Sequence, residues 1–234
     1  MVFSPSNKNS HENDINIRIN NVEISQVNCI RFLGVIIDSK LNWADHINMI
    51  KTKVSKAIGI IYKTRKLLDK CTLVTLYYSF VYPYLMYNIE NWGMTFNIYL
   101  DSLFKLQKKI VRIICCVNYR DHTEPLFHNL KILPLSKMFA YQIMNFMFKA
   151  YKNILPLCCH DKYNLNSSVH RHQTRSSSKF HIPFMRLKIS QRSVKYIGPK
   201  LWNYYCTFHD LSKITTYYTF KRKIRYIIQQ NEVL

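Results

Sequence analysis

The stretch Cys29–His46, CIRFLGVIIDSKLNWADH, decides how the rest of the chain is read. Ile30, Phe32 and Val35 to Ile37 form a β-branched and aromatic run interrupted by Gly34, which predicts a strand with a bend or close backbone approach at the glycine. Asp38 to Asn42 turns the chain. From Asp45 onward the apolar residues fall at Ile47, Ile50, Val54, Ile58 and Ile61. A period of two has given way to a period near 3.6, so strand gives way to helix here.

Upstream, Ile15, Ile17 and Ile19 alternate with polar residues. Asn20-Asn21 suits a hairpin turn because asparagine tolerates positive φ, and Val22 and Ile24 begin a returning strand. A small antiparallel sheet over residues 14 to 37 is expected, preceded by a loose, polar segment over residues 1 to 13.

Downstream the pattern is helical. A first helix is expected from Asp45 to Leu68, with Lys53, Lys56, Lys63 and Lys66 opposite its apolar stripe. A second opens at Cys71-Thr72 with Thr72 as N-cap, and Pro83 ends or kinks it because proline lacks the amide hydrogen. The third, Ile98 to Val117, separates most cleanly: Leu100, Leu103, Leu106, Ile110, Ile113 and Val117 on one side, Lys105, Lys108, Lys109 and Arg112 on the other. Four cations within two turns repel one another unless an anion lies alongside. A short helix follows Thr123, and Pro134 introduces a longer one to about Lys152 whose Met138, Phe139, Ile143, Phe146 and Ala150 read as core.

From Asn153 to Lys179 no periodicity survives, and a linker or long loop is expected. Phe184 to Ile189 and Ser193 to Ile197 suggest a small hairpin; Gly198-Pro199 then turns into a short helix carrying Leu201 and Trp202, and a last helix spans Thr216 to Gln230 with Lys221, Arg222 and Arg225 outward.

Charge bounds the function. The 234-residue chain has 34 Lys and Arg against 13 Asp and Glu, a net +21, and 48% hydrophobic residues, enough for a core. Such a balance calls for a polyanionic partner or a solvated basic face. Between Lys162 and His209 there is no acid, but there are Lys162, Arg171, Arg175, Lys179, Arg186, Lys188, Arg192, Lys195 and Lys200, interleaved with Phe180, Phe184, Tyr196 and Trp202. Cations for the backbone and rings for the bases suit nucleic acid. No apolar run approaches the roughly 20 residues that span a bilayer, and the polar first 14 residues do not form a signal peptide. A soluble, intracellular protein with no membrane partner is expected, with its seven cysteines as free thiols.

Little in the sequence points to chemistry. Cys158, Cys159, His160, His170 and His172 have the side chains of a zinc site, but adjacent cysteines do not readily take two corners of one tetrahedron. No Gly-rich phosphate loop occurs among four glycines, and no Asp-Asp pair exists. By residues alone this is a basic, α-rich binding module.

The run Phe32-Leu33-Gly34-Val35, then Asp38, Leu41, Trp43 and His46, resembles the segment after the catalytic palm in reverse transcriptases of jockey-like non-LTR retrotransposons. Leu76 to Trp92 (LYYSFVYPYLMYNIENW), Leu103 to Ile114 (LFKLQKKIVRII) and Tyr196 to Asn203 (YIGPKLWN) extend the resemblance in the expected order. Met1-Val2-Phe3-Ser4 resembles the end of the strand after the catalytic hairpin, so the chain is expected to begin just downstream of the active site.

The resemblance implies a palm-end β segment with a primer-contacting hairpin (residues 1–43), a thumb-like helical bundle (44–152), a linker (153–180) and a basic C-terminal subdomain (181–234). The fold class expected is mainly α with a small antiparallel β-hairpin or sheet at the N-terminus. Phe32, Leu33 and Gly34 would contact the primer end. Lys105, Lys108, Lys109 and Arg112, with Arg186, Lys188, Arg192, Lys195 and Lys200, would touch the backbone of an RNA or DNA template-primer duplex. Polymerase chemistry needs carboxylates holding two metal ions; the family's paired aspartates are absent, so this chain alone is expected to be no enzyme, and Mg2+ would belong to an upstream palm. That polymerase domain is the second expected partner. Two alternatives stay open: a relic of a decayed element without activity, and a polymerase completed by another chain.

Overall fold

A computed structural model of the chain describes residues 1–3, 17–169, 172 and 174–230. Expectations resting on residues 4–16, among them Ser4, the loose N-terminal segment and Ile15, and on His170 and Arg171, lie outside the described residues.

Asparagine's tolerance of left-handed backbone makes the first turn. β1 (Ile17–Ile19) pairs antiparallel with β2 (Val22–Ile24), and Asn20 and Asn21 between them have φ of 49° and 64°. The next hairpin corrects the reading of the opening stretch. Ile30 to Ile37 is not one strand bent at Gly34 but two: β3 (Cys29–Phe32) and β4 (Val35–Asp38), with Phe32 opposite Val35. Leu33 at φ 46° and Gly34 at φ 81° reverse the chain in two residues. The strands therefore form two separate hairpins rather than one sheet.

The helices follow the apolar spacing closely. α1 (Ala44–Thr64) buries Ile47, Ile50, Val54, Ile58 and Ile61 as expected, but stops before Leu68, where Asp69 takes over. The carboxylate of Asp69, not Thr72, caps α2 (Lys70–Phe80), accepting from the amides of Cys71 and Thr72 at 2.9 and 3.2 Å. Pro83 sits in the first turn of α3 (Tyr82–Met86), where its missing amide hydrogen costs nothing. α4 (Ile89–Trp92), α5 (Asn97–Cys115), α6 (Glu124–Asn129) and α7 (Leu135–Tyr151) complete the central helices.

α7 is apolar nearly all round. Met138, Phe139, Ala140, Tyr141, Ile143, Met144, Met147 and Phe148 are all buried, which requires neighbours on every side. α3, α4 and α5 cover part of the helix, and the rest of the cover comes from the stretch read as linker and tail. After a 3-10 turn over Leu157–Lys162 and α8 (Asn166–Val169), the chain forms α9 (Lys188–Gln191), α10 (Val194–Phe208) and α11 (Tyr217–Gln230). α10 and α11 pack directly on α7, and the core that begins in α1 runs through Phe180, Trp202, Tyr205, Phe220 and Ile224. Residues 153–180 are thus not a break between separate cores.

Two local expectations fail in this region. The hairpin over 184–197 is absent, because Val194, Ile197, Leu201, Trp202 and Tyr205 fall at helical spacing and place one stripe of α10 against α7. Gly198-Pro199 does not turn the chain; Pro199 lies inside α10 and is buried there. A side chain at Gly198 would have its Cβ 2.5 Å from Met147 Sδ, so glycine lets the two helices approach. The fold is mainly α with antiparallel hairpins at the N-terminus, as the sequence predicts. No helix among the described residues is long and apolar enough to cross a membrane.

Candidate nucleic-acid interface

The second hairpin is built so that its tip protrudes while its root is fixed. Val35 is buried, and His46 at the start of α1 accepts the Ile36 amide at Nδ1 over 3.3 Å. His46 is itself enclosed, edge-on to Trp43 and Trp92. At the tip, Phe32 is 60% and Leu33 75% exposed. Tyr87 donates its hydroxyl hydrogen to the Leu33 carbonyl, and Trp92 Nε1 donates to the Tyr87 carbonyl at 2.9 Å. A leucine in left-handed backbone is strained; the Tyr87 hydrogen bond holds it there. Leu33 and Tyr87 are 54 positions apart in sequence, so the motif around Gly34 and the one ending at Trp92 form a single support.

Accepting at Nδ1 puts the proton of neutral His46 on Nε2, which is buried without a hydrogen-bond partner. Burial depresses the pKa below the ordinary histidine value, since a charged ring would lose its solvation.

On α5 the four predicted cations lie within about 100° of arc, opposite a face that buries Leu103, Ile110, Ile113 and Ile114. They are not equivalent. Lys105 and Lys109 are exposed. Lys108 is half-buried, with its ammonium 4.4 Å above the Phe104 ring. Arg112 departs from the expectation of a free outward cation: its Nε and Nη2 donate to the Asp121 carbonyl at 3.1 and 3.0 Å, tying the loop after α5 to the helix.

The tail cations lie on one continuous stretch. Arg186 precedes α9, Lys188 opens it, and Lys195 and Lys200 are exposed on α10. Arg192 stacks its guanidinium 4.2 Å over Phe96, the residue before α5. That contact brings the tail to the N-terminal end of α5, about 13 Å along the axis from Lys105. Arg225, read as outward on α11, instead turns in: Nη2 donates to Tyr78 Oη at 2.9 Å and to the Lys131 carbonyl at 3.2 Å. These long-range anchors carry no signal in the sequence.

The acids do not neutralise this charge. Among the described residues one ion pair forms, Lys213 with Asp210 at 2.7 Å. Other carboxylates serve backbone donors: Asp38 accepts the Asn42 amide at 2.7 Å and Asp121 the Asn118 amide at 2.9 Å. Hydrogen bonds from Thr72 hold the Asp69 carboxyl below the usual carboxylate range.

No group of three or more His, Cys, Asp or Glu side chains among the described residues is placed to hold a metal ion. His160 is occupied by the Leu155 carbonyl at 2.7 Å, and Cys158 and Cys159 have their sulfurs 3.9 Å apart. Elsewhere burial pushes the Cys206 thiol up to about 12, which makes it inert.

Comparison with known proteins bears out the resemblance read from the motifs. The chain is 24% identical over 119 residues to the probable RNA-directed DNA polymerase from transposon X-element of Drosophila melanogaster, a match covering 50% of this chain and 13% of that protein. It is 29% identical over 106 residues to the RNA-directed DNA polymerase from mobile element jockey of the same organism, covering 44% of this chain and 12% of the relative. The matched region is thus about an eighth of the length of those polymerases. No family model and no solved structure matches the chain.

Proposed function

We propose that the chain is the template-primer-gripping part of a non-LTR retrotransposon RNA-directed DNA polymerase, binding nucleic acid without supplying catalytic carboxylates. The observation that carries this reading is the charge: 34 Lys and Arg in the sequence, against one ion pair among the described residues. An uncompensated field of this kind has most to gain from phosphates.

Within that reading the exposed tip of Phe32, Leu33 and Gly34 meets the primer end, and Lys105 and Lys109 face the duplex backbone. Arg186, Lys188, Lys195 and Lys200 extend the contact. Arg112 and Arg192, held by Asp121 and Phe96, position the surface around them. The magnesium ions and their aspartates come from a polymerase domain on further polypeptide. The apolar residues of β1 and β2, Ile17, Ile19, Val22 and Ile24, are all exposed and form the side that such a domain would cover.

Contacts to phosphate carry no base information, so recognition is nearly sequence-blind. A fluorescence anisotropy titration with labelled RNA–DNA hybrids tests this. Comparable affinity for hybrids of unrelated sequence at low salt is expected; absence of binding contradicts the proposal.

A further inference from the structure

The most exposed large apolar side chain among the described residues is Phe184, at 94%. It belongs to the loop His181–Leu187, HIPFMRL, between the buried Phe180 and α9. The loop is braced at both ends. Asn203 on α10 accepts the Phe180 amide at 2.9 Å and donates to its carbonyl at 2.8 Å. On the far side Gln191 Nε2 donates to the Met185 carbonyl at 2.9 Å. Pro183 fixes φ immediately before the ring. Phe184 is therefore displayed on a supported loop.

A ring held in water in this way loses the gain of burial, so the feature calls for an occupant. Its surroundings decide which. Arg186 and Lys188 beside it are exposed, and no Asp or Glu occurs between Lys162 and His209. A second copy of this chain, at net +21, would be repelled. A partner that is both polyanionic and rich in flat apolar faces is nucleic acid, and those faces are open only where bases are unpaired.

We infer that Phe184 is a base-stacking residue for a single-stranded segment of RNA or DNA, with Arg186 and Lys188 on the adjoining phosphates. The inference rests on the proposed nucleic-acid function and deepens it: the duplex lies along Lys105, Lys109, Lys195 and Lys200, and Arg186 and Lys188 extend that contact onto an unpaired strand held at this loop.

The test is an anisotropy titration of labelled single-stranded oligonucleotides, poly-uridine and poly-thymidine, beside a blunt RNA–DNA hybrid, using full-length wild type, Phe184→Ala and Phe184→Tyr. Phe184→Ala is expected to bind the single strands about tenfold more weakly, with the hybrid affinity and the salt dependence unchanged. Phe184→Tyr, which keeps the ring, restores wild-type binding. Equal single-strand affinity of wild type and Phe184→Ala overturns the inference, as does an equal loss on hybrid and single strand. Sedimentation showing that wild type is a dimer and Phe184→Ala a monomer also overturns it, in favour of a second copy as occupant. Wild type that binds hybrid but no single strand defeats this inference alone; wild type that binds neither defeats the underlying function as well.

Discussion

Gln107 shows what a single buried polar side chain does in this fold. It lies on the buried face of α5, where its Nε2 donates to Tyr77 Oη and to the Leu133 carbonyl, each at 2.9 Å. Its Oε1 accepts the amide of Leu135, the first residue of α7, also at 2.9 Å. One amide thus joins α2, α5 and the start of α7. Gln107→Leu leaves three buried groups unpaired and is expected to destabilise the chain by about 2–4 kcal/mol, read from urea melting. Nothing in the sequence flagged this residue, since a glutamine within a lysine-rich helix reads as surface. His46 gives a pH dependence. Its folded pKa is lowered by burial, so the unfolded chain binds the proton more readily. The stability it supports is complete above the ordinary value of 6.5 and is lost as pH falls below it toward the folded value. Urea midpoints measured across pH 7.5 to about 5 should decline for wild type, and less steeply for His46→Gln, whose neutral amide has no proton to gain.

At the level of elements, α5 and α10 carry separable roles. The Lys105→Ala/Lys109→Ala double variant removes two exposed cations from the crowded face of α5. It is expected to reduce the slope of log affinity against log salt on a hybrid by about 2, with the thermal midpoint unchanged or raised as repulsion eases. An unchanged slope would exclude this face from the contact. α10 depends on a close approach instead. A Cβ at Gly198 meets Met147 Sδ at 2.5 Å, so Gly198→Val displaces the buried Met147 side chain from its packing and is expected to cost about 1–3 kcal/mol in urea melting. The apolar spacing made α1, α5 and α7 legible in sequence, because each buries a stripe at helical period. The helix carrying Leu201 and Trp202 is legible in sequence, but the first turns of α10 read as hairpin and turn: Gly198-Pro199 has turn composition, and only the neighbouring α7 explains why the helix runs through it. Phe32-Leu33-Gly34 reads by its residues as a bend for a similar reason, whereas the resemblance implies the hairpin that β3 and β4 form. A leucine at positive φ is unexpected until Tyr87 is seen bonded to its carbonyl.

For the whole molecule, the motifs carry the resemblance that the comparisons bear out, and composition carries the charge. The excess of cations was visible from the first count, whereas their placement was not: Arg112, Arg192 and Arg225 are engaged by Asp121, Phe96 and Tyr78. Such pairings join residues 9 to 147 positions apart and leave no local pattern. The extent of the core was equally hidden. A stretch without periodicity, rich in Ser and Asn, reads as a linker, yet it delivers Phe180 into the same core as α1 and α7. The central claim is that this charge exists to hold a sugar-phosphate backbone. The salt dependence of hybrid binding by wild type tests it most directly. Affinity should fall linearly in log salt with a slope of about −0.9 for each phosphate neutralised, several phosphates in all; a flat salt dependence would contradict the account.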